Sequence, residues 1–151
     1  MCVPPTHLHL VITVDPFVKW GINFMTCNPH SVGENAYIII VIDYFTKWAE
    51  EMPTLIANGK IVAQFLFNHV ITRLGFPQTI LTDHGSHFLH YMMAELTSKL
   101  GLRHDSSMSY YPQANGQVEA VNKVLITMLQ HTIRMHNSNW HLMLFSALWA
   151  Y

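Results

Sequence analysis

The feature that most constrains the fold is the segment AYIIIVIDYF at residues 36–45. Apolar, mostly β-branched or aromatic side chains occupy both of its alternating faces, so neither face suits water. Such a run is typical of a central strand in a sheet that is covered on both sides. Half of the 151 residues are apolar and only 11% are charged, which is enough for a core of this kind and excludes a disordered chain.

Further strands and helices are expected along the rest of the chain. The strands are 19–25, 36–45, 47–55, 78–82 and 102–107, and the helices are 58–74, 89–100, about 118–135 and a segment from Asn139. Three consecutive strands favour a meander, whereas later strands that alternate with helices are typical of a mixed sheet. The sequence thus predicts an α/β fold with a mixed five-stranded sheet, made of a three-strand meander plus two parallel strands, and with helices on both faces.

Turn residues set the limits of these elements. Asn58 is expected to cap the first helix, and Gly75 with Pro77 to end it. Pro53 is expected to end the third strand. Residues 109–117 (SYYPQANGQ) are expected to form a loop whose hinge is the Asn-Gly pair.

The chain length fits one domain. Residues 1–18 contain three prolines and are interpreted as an extended lead-in, followed by a core domain at 19–151. The apolar helical sequence SALWAY at 146–151 has no cap, so we expect the core to be truncated at this end and cut from a longer polypeptide.

Hydropathy and cysteine content limit the cellular setting. The longest apolar run, 36–42, is far too short to cross a membrane, and no signal peptide is recognisable. Cys2 and Cys27 cannot make a disulfide framework. We therefore expect no membrane partner, no secretion and a reducing compartment.

The charge of the chain gives no reason by itself to expect nucleic acid. The formal net charge is −1, which counts mildly against tight DNA binding by this piece alone. Eleven histidines are present, but structural zinc needs four closely spaced ligands, and the two cysteines do not supply a pair. We interpret the histidines as scattered surface or core residues.

Two acidic residues are the candidates for chemistry. Asp83 follows the predicted buried strand 78–82, where a carboxylate is costly unless a cation or N–H groups meet it. Glu119 is expected in the first turn of the long helix, where the helix dipole favours an anion, and Lys123 lies one turn further on the same face. A strand-end aspartate and a helix glutamate after a loop are typical of half of a two-metal site.

The motifs around these residues closely resemble retroviral-type integrases, and in particular those of gypsy-type LTR retrotransposons. Between Asp83 and Glu119 lie 35 residues, the spacing that the family has between the last two acidic residues of its catalytic triad. The similar stretches are PFVKWG (16–21), IDYFTKWAE (42–50), RLGFPQTILTD (73–83), YYPQANGQVEAVNK (110–123) and NWHLMLFSALWAY (139–151). The resemblance covers nearly the whole chain.

This resemblance implies the fold, the reaction and the cofactor. It implies a ribonuclease H-like integrase catalytic core with a D,D,E triad that holds two Mg²⁺ or Mn²⁺ ions and no small-molecule cofactor. The implied activity is DNA integration, by 3′-end processing and strand transfer, carried out in the nucleus after synthesis in the cytoplasm. Asp83 and Glu119 match two members of the triad and are its implied metal ligands.

The first triad position departs from the family. An aspartate is expected two residues after the Trp-Gly, and Asn23 stands there. An amide oxygen lacks the full charge that would bridge two dications, so we expect weak metal binding and a reaction slowed by roughly 10²–10⁴-fold. Asp43, on the next predicted strand, is the rival third carboxylate, although a structural role is also open for it.

Other residues near the predicted site are candidates for contacts with DNA. Lys123 is expected to contact a phosphate, and Gln117, Tyr111 and His84 border the site. The family also pairs its cores through two helices. We therefore expect a dimer formed through apolar residues, including Phe67, Trp140 and Trp149.

Three other functions stay open at this point. The chain could be a non-catalytic module that binds nucleic acid or protein, which Asn23 favours. It could be a decayed relic of an integrase, since the Gly-Pro that the family carries after its first Asp is replaced by Thr26-Cys27. A ribonuclease H hydrolase would share the fold, but QANGQVEAVNK (113–123) favours an integrase.

Overall fold

The structure is a computed structural model that describes residues 15–82, 87–106 and 112–151. Its strands are β1 (Lys19–Thr26), β2 (Tyr37–Asp43), β3 (Ala49–Thr54), β4 (Thr79–Thr82) and β5 (Arg103–Ser106). They form one sheet in the order β3-β2-β1-β4-β5. The β1–β2 and β2–β3 pairs are antiparallel, whereas β1–β4 and β4–β5 are parallel. The predicted mixed α/β architecture is confirmed.

Helices connect and cover the strands. They are α1 (Gly59–Phe65), a π-helical segment (Leu66–Ile71), α2 (Thr72–Leu74), α3 (His87–Leu100), α4 (Pro112–His136), a 3₁₀ turn (Asn137–Asn139) and α5 (Trp140–Ala150). In the described part of the chain, no helix is long and apolar enough to span a membrane.

The first helical stretch begins and ends where the sequence predicts. The Asn58 side chain accepts a hydrogen bond from the Ile61 N–H at 2.9 Å, which satisfies a donor that the first turn leaves free. Gly75 follows Leu74 with a φ of 102°, a backbone conformation that costs glycine little, so the stretch ends there.

The alternation of β2 divides the core into two clusters. Ile39 and Val41 pack with α1 and the π-helical segment on one face, together with Phe65 and Leu66. Ile38, Ile40 and Ile42 pack on the other face with α4 and α5, through buried residues that include Leu125, Leu129, Ile133, Trp140 and Leu144. We call these the α1 face and the α4/α5 face. Both faces of β2 are buried, so the central-strand prediction is confirmed.

The prediction that Pro53 ends the third strand is wrong. Pro53 lies inside β3, opposite Ile38, and the strand continues to Thr54. Because β3 is an edge strand, a residue without an N–H is tolerated there.

The prediction of a loop at 109–117 is also wrong for its described part. α4 already begins at Pro112, so the predicted hinge, Asn115 and Gly116, is helical. Proline suits the first helical position because its missing N–H would have no partner there. Glu119 is therefore seven residues beyond the start of α4 rather than in its first turn, and the dipole argument for it fails.

One of the apolar side chains expected to be exposed is buried. Trp140 is fully buried, and its Nε1–H donates to the Pro29 carbonyl at 3.0 Å, which ties α5 to the loop after β1. Phe67 and Trp149, in contrast, expose 54% and 76% of their surface. Of the three residues, only these two remain candidates for self-association.

Gly21 lies beneath an aromatic ring. A Cβ atom added to it would come within 2.9 Å of Cε2 of Tyr44. The ring therefore occupies the volume that a side chain at position 21 would need.

Candidate functional site

The parallel pairing of β1 with β4 positions the candidate site. The last pair in this register joins Ile22 to Thr82. Asn23 is the next residue of β1, and Asp83 is the next residue in the sequence after Thr82. Asp83 itself lies outside the described residues, so its role as a metal ligand stays a prediction.

Asn23 lies on the α4/α5 face of the sheet. Side chains alternate along a strand, and Trp20 and Ile22 belong to the core of the α1 face, whereas Met25 belongs to the opposite core. Asn23 shares the face of Met25 and is half-buried. No hydrogen bond joins its side chain to the part of the chain that the structure describes, so its amide is not held there by a described partner.

α4 crosses this same face. It is anchored by Leu125, Leu129 and Ile133, which are all buried in the α4/α5 cluster. Gln117 and Glu119 lie in the first half of the helix, but their side chains are outside the described part of the structure. The structure thus places α4, but not the carboxylate of Glu119, on the face that carries Asn23.

The described part of α4 presents an exposed polar stripe. Lys123, Thr127, Gln130 and Arg134 are exposed. The Lys123 ammonium is therefore available to an anionic partner, and no described carboxylate forms an ion pair with it. His84 and Tyr111, the remaining candidates for DNA contacts, lie outside the described residues.

Asp43 has a structural role and is not placed to replace the missing carboxylate. It is opposite Trp20, on the α1 face, so it points away from the face of Asn23. Its side chain is fully buried and accepts from the Phe17 N–H at 3.0 Å and from the Thr46 N–H and hydroxyl at 2.7 and 2.6 Å. These bonds close the β2–β3 turn and hold the chain before β1 against it.

No metal centre is formed by the described side chains. Among them, no group of three or more His, Cys, Asp or Glu residues is placed to hold an ion. Cys27 is also unsuited to nucleophilic chemistry, because burial raises the pKa of its thiol to about 12.

Two adjacent glutamates on β3 were not singled out from the sequence. Glu50 points to the α1 face, where its Oε1 accepts from Trp48 Nε1 at 2.9 Å and from Arg73 Nη1 at 3.0 Å. Glu51 points to the other face, and its Oε2 is buried without a hydrogen-bond partner in the described part of the chain. Two consecutive acids in a strand must face opposite sides, so a sheet predicted to be covered on both sides was the available signal.

Known proteins similar to this chain come from retroviruses. It is 31% identical over 134 residues to the Gag-Pol polyprotein of baboon endogenous virus, which covers 88% of the chain and 8% of that protein. It is 31% identical over 135 residues to the Pol polyprotein of radiation murine leukemia virus, covering 89% of the chain and 23% of that protein. The chain therefore spans less than a quarter of the length of these relatives. It matches no family model.

A solved structure shares the fold. It is a chain of a simian T-cell lymphotropic virus intasome in complex with the PP2A regulatory subunit B56 gamma. The TM-score is 0.64 at 23% identity, over 89% of this chain and 48% of that one. The sequence and fold comparisons together support the retroviral type of region that the motifs predict.

Proposed function

We propose that this chain, which is similar to a segment of retroviral Pol polyproteins, is the catalytic core of an integrase. The proposed core is of the gypsy-type retrotransposon class and has a ribonuclease H-like fold. The observation that carries the proposal is the parallel β1–β4 register ending at Ile22 and Thr82. Asn23 follows Ile22 in β1, and Asp83 follows Thr82 in the sequence, which supports a site shared by these two positions. α4, which contains Glu119, packs on the same face as Asn23.

Asp83 and Glu119 would hold Mg²⁺ or Mn²⁺, since carboxylate oxygens are the ligands that these hard cations prefer. Bound ions would activate the attacking oxygen and stabilise the leaving oxygen of a phosphoryl transfer. Asn23 offers one neutral amide oxygen at the position where the family has a charge. The donor set therefore suits the ions in kind but is one charge short, which supports weak binding and impaired catalysis.

DNA is the proposed substrate, and α4 supplies the proposed contacts. Lys123 is exposed one turn beyond Glu119, so its ammonium can meet a backbone phosphate next to the reacting one. Gln117, Tyr111 and His84 are proposed to border the DNA. Because the net charge is −1, we expect this contact to be weak and sensitive to salt.

Restoring the missing charge tests the proposed activity. Asn23→Asp is nearly isosteric and should leave the strand undisturbed. We expect Mn²⁺-dependent nicking, or disintegration of a branched DNA substrate, to rise by about 10²-fold or more. Calorimetric titration should show tighter Mn²⁺ binding in the same variant.

The matched control adds Glu119→Gln to Asn23→Asp and should return to background. If Asn23→Asp gains no activity while it folds and binds Mn²⁺, the proposal of a site impaired at one position is wrong. Efficient cleavage by the unmodified chain would also contradict the proposed impairment.

We also propose that the chain acts in the nucleus, where the proposed DNA substrate lies. A second proposal is that the chain associates with itself. Phe67 and Trp149 are large apolar side chains that are exposed on two helical segments. Light scattering at tens of micromolar should report a dimer, whereas Phe67→Ser or Trp149→Ser should shift the mass toward the monomer. A monomer of the unmodified chain at that concentration would overturn this proposal.

A non-catalytic binding module is the alternative function that a specific observation favours. Asn23 removes one triad charge but leaves the exposed Lys123 in place. A filter-binding assay over a salt series separates this module from a decayed relic. A module retains DNA binding that weakens as salt rises, and a relic shows none.

A further inference from the structure

We propose that Glu51 is a proton-dependent switch in the packing of α5 on β3. With its carboxyl group protonated the helix packs closely, and with the group ionised the packing loosens. The proposal concerns the packing of the fold and does not depend on the proposed function.

The register places Glu51 on the α4/α5 face of the sheet. Ala49 belongs to the α4/α5 core, and Glu51 lies two residues further along β3 on the same face. Its neighbour across the ladder is Ile40, which is fully buried. α5 contacts the edge strand β3, and Glu51 is half-buried on the face of β3 that belongs to the α4/α5 cluster.

No described group on the packed elements neutralises this carboxylate. Its Oε2 is buried and has no hydrogen-bond partner among the described residues. α5 contains no Lys, Arg, Asp or Glu, and its titratable groups are His141 and, at its C-cap, Tyr151. The Nδ1 atom of His141 is itself buried without a partner among the described residues. A charge on Oε2 is therefore uncompensated by the side chains that the structure describes.

The remaining nearby charges do not help. In β2 the titratable groups are Tyr37 and Asp43, at the two ends of the strand, and Asp43 belongs to the α1 face. Glu50 precedes Glu51 on the α1 face and is paired there with Arg73. The Glu50 charge repels a second charge on Glu51.

The pKa of Glu51 is raised from 4.5 to about 7. Burial of the carboxyl group is the larger cause, and repulsion by the Glu50 charge is the smaller one. With α5 undocked the carboxyl group would titrate near its ordinary value. Between pH 4.5 and 7 the packed state therefore holds more protons than the open one. Packing of α5 is strongest below this window, weakens as the pH rises through it, and stays weak above it.

Hydrogen exchange of residues 140–150 tests the switch. After correction for the intrinsic rate, exchange in this segment should be at least about tenfold faster at about pH 8 than at about pH 5, relative to β2. Glu51→Gln is neutral at every pH. At both pH values its segment 140–150 should therefore exchange as slowly as that of the wild-type chain does at about pH 5. Glu95→Gln, which alters a solvent-exposed glutamate on α3, is the matched control and should behave like wild type.

Three outcomes would overturn the proposal. Exchange in the wild-type chain could be the same at both pH values, or Glu51→Gln could show the wild-type change. The third is that His141→Gln loses the change while Glu51→Gln retains it. If Glu51→Gln does not fold, a carbon-13 titration of the Glu51 carboxyl group in the wild-type chain decides the question. A midpoint near 4.5 contradicts the switch, and one near 7 supports it.

Discussion

The two faces of the sheet satisfy their polar groups differently. On the α1 face, Asp43 accepts three hydrogen bonds and Glu50 is held by Trp48 and Arg73. On the α4/α5 face, Asn23 has no described partner and Glu51 has a buried oxygen without one. The apolar cores beneath the two faces are similarly buried, so the difference lies in the polar chemistry. Acidic residues on the first face complete the fold, whereas the polar residues on the second are those to which we assign a proposed ligand and a proposed change of state.

The largest effect is expected from the carboxylate of the α1 face. Asp43→Ala removes a fully buried carboxylate that accepts three hydrogen bonds, so it should lower the free energy of unfolding by about 3–5 kcal/mol. Asn23→Ala, on the other face, should cost within about 1 kcal/mol. Urea denaturation measures both. Equal costs would remove the contrast between the faces.

Truncation of one leucine beneath each face tests whether the two cores are equivalent. Leu66 and Leu129 are both fully buried, one in each cluster. Each Leu→Ala change should cost about 3 kcal/mol, from lost burial and the cavity that remains. A cost below about 1 kcal/mol for Leu129→Ala would mean that α4 is loosely packed on its face.

A smaller effect is expected from the ion pair of the α1 face. Arg73→Ala removes a partner of the nearly buried Glu50 carboxylate, but the Arg73 side chain is 53% exposed and water screens the pair. The loss should be about 1 kcal/mol, measured by urea denaturation. Repeating Arg73→Ala in a Glu50→Gln background should abolish most of it, and an unchanged cost would show that packing of the arginine stem matters instead.

The smallest effect is expected on the α4/α5 side. Lys123→Ala removes one exposed charge, so DNA affinity should fall by about three- to tenfold. The slope of log affinity against log salt concentration should decrease by an amount that corresponds to about one phosphate contact. Gln130→Ala, on the same exposed stripe, is the neutral control. Unchanged affinity and salt slope in Lys123→Ala would remove this residue from the proposed interface.

Local patterns in the sequence were sufficient to predict much of the fold. The β-branched segment at 36–45 predicted a strand buried on both faces, and Asn58 with Gly75 predicted the limits of the first helical stretch. The start of α4 was missed because Pro112 and the Asn-Gly pair are more common in turns. A glycine inside a helix costs only about 1 kcal/mol relative to alanine, so tertiary packing can override this preference. The burial of Trp140 was missed because α5 is apolar on all sides, so its sequence does not indicate the packed face.

The candidate site was predictable only in part. Spacing and resemblance selected Asp83, Glu119 and Asn23. The structure places Asn23 in β1 and Glu119 in α4, whereas Asp83 lies outside the described residues. The role of Asp43 depends on which face it points to, which a single strand does not fix until its pairing is known. The exposed state of Lys123 followed from helical periodicity, whereas the burial of Oε2 of Glu51 depends on packing between segments that are distant in sequence.

The ring of Tyr44 over Gly21 has a consequence for how related sequences can differ. Because the space beside position 21 is filled by an aromatic ring from another strand end, an alanine there requires that ring to move or become smaller. Positions 21 and 44 are therefore expected to vary together rather than independently. A larger residue at position 21 should accompany a smaller one at position 44, and a substitution at position 44 alone should leave a gap over the glycine.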